Sequence, residues 1–210
     1  MIELLYLGAA VLFILGLKQL SGPRTARRGN QLAALGMLAA VVVTLVELDA
    51  VSWGTIIAGL VVGGGLGAVL ARRVQMTSMP ELVAAFNGFG GAASALVALA
   101  DLAISDTSPA AETAITILLA VVIGTVTFSG SFVAFAKLKG LMPGRPIVYS
   151  FTHWVNGALA AAAIGIGAWG IAAGNDTLFW VAAGIAAVLG VLAVIPIGGA
   201  DMPVVISLLN

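Results

Sequence analysis

The chain alternates between long, uninterrupted apolar runs and short polar connections, and few folds accept that pattern. Seven runs lie at residues 2–17, 32–46, 53–71, 81–100, 113–136, 147–173 and 177–195, and an eighth begins at Met202 and stops with the sequence at Asn210. At about 1.5 Å of rise per residue, roughly 20 apolar residues in a helix cover a hydrocarbon core about 30 Å thick. The run at 32–46 is short and needs residues from its flanks. Within lipid every backbone polar group must be paired inside the segment, which leaves helices or closed barrels. The strict two-residue alternation that a barrel needs is absent. The sequence therefore predicts an all-α, polytopic transmembrane helical bundle of seven full spans plus a truncated eighth, with residues 1–210 as one membrane domain.

Composition removes the competing classes. Charged residues make up 9% of the chain, apolar residues 61%, and mean hydropathy is +1.15. A soluble domain carries about 25% charged residues, so this chain could not cover a soluble surface. Nine basic and nine acidic residues balance, which excludes the basic face of a nucleic-acid binder. With no cysteine, disulfide scaffolds, thiolate zinc sites and thiol catalysis are excluded as well. The first run is not a cleaved leader: its only early charge is Glu3, and apolar chain follows it.

The charges orient the bundle. Lys18, Arg24, Arg27 and Arg28 follow the first run, Arg72 and Arg73 the third, and Lys137, Lys139 and Arg145 the fifth, so all nine cations fall at alternate connections. Glu3, Glu47, Asp49, Asp101, Asp106, Glu112 and Asp176 fall at the opposite ends, and only Glu81 and Asp201 share the basic side. Positive residues stay inside, which predicts an external N-terminus and cytoplasmic basic loops. Tyr6, Trp53, Trp169 and Trp180 near outer ends, with Tyr149 and Trp154 near an inner one, fit an aromatic belt.

Small residues mark candidate packing seams: Gly59, Gly63 and Gly67 on the third helix, and Gly157, Ala161 and Gly165 on the sixth. Two helix starts also echo each other. Ser78-Met79-Pro80 is followed by Asn87 seven residues after the proline, and Asp201-Met202-Pro203 by Asn210 at the same interval. Ser78 and Asp201 are candidate N-caps, Ser78 with Glu81 fits a capping box, and proline in the first turn sacrifices no needed donor.

Chemistry has few places to reside. Each asparagine lies roughly 10 Å into the membrane from its helix start, where an amide either ties helices together or lines a water file for an ion or proton. Thr125, Thr127, Ser129 and Ser131 form two pairs spaced by four on the fifth helix, giving it a hydroxyl-rich face unless they bond back to their own carbonyls. No ionisable residue lies at the middle of any span. Glu81 and Asp201, at the inner mouth, either cap their helices or admit and release protons, and His153 beside Trp154 reads as an interfacial residue. The glycine clusters at 63–65 and 88–91 lie inside apolar runs, so they are not nucleotide loops.

Three stretches carry a resemblance. Met79-Pro80-Glu81-Leu82-Val83-Ala84 through Asn87-Gly88-Phe89-Gly90-Gly91-Ala92-Ala93, Val126-Thr127-Phe128-Ser129-Gly130-Ser131 with Lys137-Leu138 after it, and Gly198-Gly199-Ala200-Asp201-Met202-Pro203-Val204-Val205 together resemble the membrane domain of the β subunit of proton-translocating NAD(P) transhydrogenases. Arg27-Arg28-Gly29-Asn30 is similar to that family's first cytoplasmic loop.

The resemblance implies an enzyme complex of the bacterial inner membrane that passes hydride from NADH to NADP⁺ while protons move inward. NAD(H) and NADP(H) would bind soluble domains outside this chain, which would hold no cofactor and no hydride-transfer site itself. It implies partnership with α subunits and an NADP(H)-binding domain, a homodimer of the membrane domain, and a chain that stops short of the family's last helices. Carried over by position, Asn87 occupies the key channel position, Asn210 the second channel asparagine, Asp201 the aspartate at the cytoplasmic mouth, and Ser131 a serine linked to the channel helix. Some family members have histidine where this chain has Asn87. An amide takes up no proton at physiological pH, so a partner helix would have to supply that histidine. Read from the residues alone, a secondary transporter or channel with a parallel repeat, or a purely structural membrane subunit, also remains open.

Overall fold

A computed structural model describes residues 2–47, 53–104 and 109–209. Eight α-helices follow in order: α1 (Ile2–Leu20), α2 (Ala26–Glu47), α3 (Trp53–Arg73), α4 (Met79–Ile104), α5 (Ala111–Leu138), α6 (Thr152–Ala173), α7 (Thr177–Val194) and α8 (Met202–Leu209). Short 3-10 turns at Met76–Ser78 and Gly199–Asp201 lead into α4 and α8. No strand occurs among the described residues, and seven of the helices are long and apolar enough to cross a membrane. All four tryptophans are exposed on the protein surface.

The chain divides into two compact units, Met1–Arg72 and Arg73–Asn210. In the first, α1 and α2 form a tight antiparallel pair. Their seam rests on small residues: a Cβ on Gly29 would lie 2.6 Å from the Gly16 carbonyl oxygen. Near the other end of the pair, Tyr6 Oη and Thr44 Oγ1 share a hydrogen bond of 2.9 Å. Helix α2 starts six residues before its apolar run because the Gly22 carbonyl accepts the amides of Thr25 and Ala26, at 3.1 and 2.8 Å. The third helix buries no residue, and its Gly59, Gly63 and Gly67 face open space.

The second unit is built around α5, whose buried residues run from Ala114 to Lys137. Near its start, Ile117, Leu118, Val121 and Val122 pack with Leu99 and Leu102 of α4, Ala163 of α6 and Phe179 of α7. Near its end, Val133 and Ala134 pack with Ala84 of α4, Val194 of α7 and Met202, Val205 and Ile206 of α8. Glycines in the left-handed region follow α5 and α6, Gly140 with φ 74° and Gly174 with φ 59°. These let the chain turn back while the following amides pair with the last carbonyls.

Two further details differ from the pattern read in the sequence. The apolar residues 147–151 precede α6 rather than belong to it: Ile147 N donates to Ile195 O at 3.3 Å, and Phe151 holds a left-handed φ of 63°. On α6 the packed small residues are Ala163, Gly167 and Gly170, whereas Gly157 and Gly165 face open space.

The echo between α4 and α8 is geometric as well as sequential. Gln75 and Gly198 hold similar extended conformations, φ/ψ −78°/151° and −71°/151°, before their turns. Backbone bonds close both turns, Ser78 N to Gln75 O at 2.9 Å and Asp201 N to Gly198 O at 3.0 Å. The anticipated side-chain caps from Ser78 and Asp201 give way to these backbone turns.

Candidate functional site

The site begins with two glycines. Gly91 of α4 and Gly124 of α5 bring the helix backbones together, since a Cβ on either would come within 2.6 Å of the other's carbonyl oxygen. Counting back about one turn on α4 from Gly91 gives Asn87, and forward about two turns on α5 from Gly124 gives Ser131. With the backbones this close, Asn87 Nδ2 reaches Ser131 Oγ at 2.9 Å across 44 residues of sequence. The same amide nitrogen lies 3.5 Å from the Ile206 carbonyl of α8. Ser131 is fully buried, while Asn87 is half-buried.

The pair stands beside a cavity of about 990 Å³ between α4, α5 and α8. Its lining is mostly apolar, with Asn87, Ser94, Thr127 and Ser207 as the polar side chains. Thr127 Oγ1 donates to Leu209 O at 2.9 Å, a second side-chain bond into the backbone of α8. Ser129 instead donates back into its own helix, to Thr125 O at 3.1 Å, as does Thr116 to Glu112 O at 2.9 Å. The hydroxyls of α5 thus divide: Thr127 and Ser131 work between helices, and Ser129 is spent locally.

The remaining candidates lie apart from this cluster. Glu81 is half-buried in the first turn of α4, and Asp201 is exposed in the turn before α8; neither lines the cavity. Asn210 lies outside the described residues, one position beyond the cavity-lining Leu209. His153 is exposed at the start of α6, in a separate shallow pocket with Trp154 and Pro196. No group of three or more metal-ligating side chains occurs among the described residues.

Ser94 and Ser207 were not singled out in the sequence. A signal for Ser94 was present: with Asn87 and Gly91 it keeps the spacing of one helix face, at i, i+4 and i+7. Ser207 carries no comparable mark. Lys137 also escaped notice, counted among the loop cations although it is buried.

Fold and site together define a polytopic helical membrane protein with a polar pair beside an open cavity between helices. Its family is settled by comparison. The sequence model of the NAD(P) transhydrogenase beta subunit family matches residues 2–210, and this chain belongs to that family. It is 38% identical over 212 aligned positions, 98% of its own length, to a protein named NAD(P) transhydrogenase subunit beta from Rhodospirillum rubrum. A second R. rubrum sequence of the same name matches equally. The chain spans about half the length of these relatives, 46% of each.

Proposed function

We propose that this chain is the proton-conducting membrane part of an NAD(P) transhydrogenase, coupling hydride transfer from NADH to NADP⁺ to inward proton movement across a bacterial inner membrane. The observation that carries the reading is the Asn87–Ser131 bond at 2.9 Å, with Asn87 on the wall of the cavity. A polar side chain at this depth is stable only against protein or water. Among the described residues no donor reaches Asn87 Oδ1, so that oxygen is free to accept from water while Nδ2 is held by Ser131.

An amide neither takes up nor releases a proton near neutral pH, so Asn87 would orient water and leave titration to groups elsewhere. Asn210 would serve the same file, and Asp201 and Glu81 would exchange protons at its basic-side mouth. NAD(H) and NADP(H) would bind soluble domains outside this chain, which would contribute neither a cofactor site nor a hydride-transfer residue. Protonation changing the contact with the NADP(H) domain would alter nucleotide affinity there. Linkage then requires nucleotide state to change proton affinity in the channel. The reading includes an external N-terminus, cytoplasmic basic loops, α subunits as partners and a homodimer of the membrane domain.

The test is proton uptake by inverted vesicles bearing the complete complex, driven by NADPH and an oxidised NAD analogue. Asn87→Leu is compared with the unmodified protein at matched assembly. Joint loss of hydride transfer and the pH signal supports the reading. An assembled mutant that pumps normally reduces Asn87 to a tie between helices.

A further inference from the structure

Lys137 in the last turn of α5 is 4% exposed. A lysine at a helix end in a membrane ordinarily runs its stem outward so that its ammonium reaches water. Lys139 does so two residues later, exposed and with Nζ 5.2 Å from the centre of the Phe135 ring. Lys137 turns inward instead, and among the described residues it meets no carboxylate. Its Nζ donates to three backbone carbonyls, Ile195 at 2.5 Å, Ile197 at 2.7 Å and Arg145 at 3.4 Å. An ammonium has three donors, and all three are committed.

The carbonyls come from two segments. One follows α5 and the other follows α7; Ile147 N to Ile195 O at 3.3 Å and Gly199 N to Gly144 O at 2.8 Å complete the junction. Ile195 is the C-cap of α7 and Ile197 lies just beyond it, so their carbonyls stand at the negative end of that helix and the ammonium closes α7 from outside. Directly after Ile197 come Gly198, the Gly199–Asp201 turn and Met202, which is fully buried at the start of α8. Helix α8 supplies Pro203, Ile206, Ser207 and Leu209 to the cavity wall.

We propose that Lys137 is a positioning residue: by gathering the carbonyls of Arg145, Ile195 and Ile197, it fixes where α8 begins and so sets the wall of the Asn87 cavity. Its consequence for proton coupling rests on the function proposed above; the positioning role stands independently. Lys137 passes no proton in this scheme. It holds the turn bearing Asp201 in register with Ser131, six residues earlier on its own helix.

These 210 residues hold no cysteine, so labelling at an introduced thiol is read as the increase over the unmodified complex. Met202→Cys is placed in the full-length polypeptide within its complex in membrane vesicles, and its reaction with an impermeant maleimide is timed. Ala163→Cys, fully buried in the core near the opposite end of α5, is the control. Lys137→Met is expected to speed labelling at 202 by about tenfold or more through easier local opening, with 163 unchanged and Lys137→Arg restoring protection. Unchanged labelling at 202 in an assembled Lys137→Met protein overturns the proposal. Faster labelling at both positions does so too, because it reveals general destabilisation.

Lys137→Gln, which keeps a neutral donor, is the second variant; if neither it nor Lys137→Met assembles, Lys137 is a folding determinant and the positioning role falls. Proton uptake is measured on the same vesicles. Faster labelling at 202 with lost uptake supports both the positioning and its coupling role. Faster labelling with normal uptake keeps the positioning and removes α8 from the proton path.

Discussion

Gly91 and Gly124 lie back to back, each so near the other's carbonyl that a methyl group on either would sit 2.6 Å from an oxygen. Gly91→Ala or Gly124→Ala must push α4 and α5 apart, at a cost of about 1–3 kcal/mol for overpacking. Gly90, next in sequence but facing open space, is the internal control. Thermal unfolding of the purified protein should show a clear loss for the first two and little for Gly90→Ala. Helix propensity favours alanine at all three positions, so a gain at Gly91 and Gly124 equal to that at Gly90 would show that the seam does not constrain them.

Asn87 and Ser131 should behave as one unit. Removing the hydroxyl by Ser131→Ala is expected to cost about 0.6–2 kcal/mol of stability. Asn87→Leu should reduce proton-coupled turnover by about tenfold or more, the kinetic equivalent of about 1.4 kcal/mol. Because the two side chains share one hydrogen bond, the double mutant should lose less than the sum of the single losses. A fully additive cycle would separate them.

The hydroxyls of α5 make a sharper contrast. Thr127→Val leaves the Leu209 carbonyl without its side-chain donor and should loosen the end of α8, read as faster labelling of Ser207→Cys. Ser129→Ala removes only a bond into its own helix, so its effect on that labelling rate should stay within about 0.5 kcal/mol. Equal acceleration by both substitutions would show that the bond to Leu209 is not what restrains α8.

Orientation can be read without any activity. With the N-terminus outside, cysteines replacing Arg24 or Lys139 should react with an impermeant maleimide in inverted vesicles and not in intact cells. A cysteine replacing Asn175 should do the reverse. Labelling of all three from the same side would reject the topology built on the basic loops.

How far the sequence could be read depends on which interaction decides each element. Apolar length alone marks the seven long helices, because a bilayer leaves an apolar run little other choice. Boundaries are set by local bonds that hydropathy does not register. Arg27 and Arg28 are helical because Gly22 seeds a turn ahead of them, and Ile147 is outside α6 because its amide is engaged by Ile195. Small-residue spacing indicates that a helix has a close-packing face but not which face meets a neighbour, hence Ala163, Gly167 and Gly170 in place of Gly157 and Gly165. Asn87 and Ser131 stand out singly as polar residues in apolar runs. Their pairing depends on the Gly91–Gly124 approach, which is a property of two helices. Lys137 is the clearest omission: nothing in its neighbourhood distinguishes a cation that turns inward from Lys139, which does not.

The divided hydroxyls of α5 have a further consequence. Ser129 is buried against Gly190 of α7 with its donor tucked into its own helix, while Thr127 faces the cavity and Ser131 holds Asn87 on its wall. One helix therefore meets α7 with a hydroxyl whose donor is already used and turns other hydroxyls toward the cavity, whose lining residues include no charged side chain. If water fills that cavity as the proposed function requires, surface tension on a molecular scale sets its continuity: a single apolar side chain projecting into the cavity would break the column, and added salt would do little to mend it.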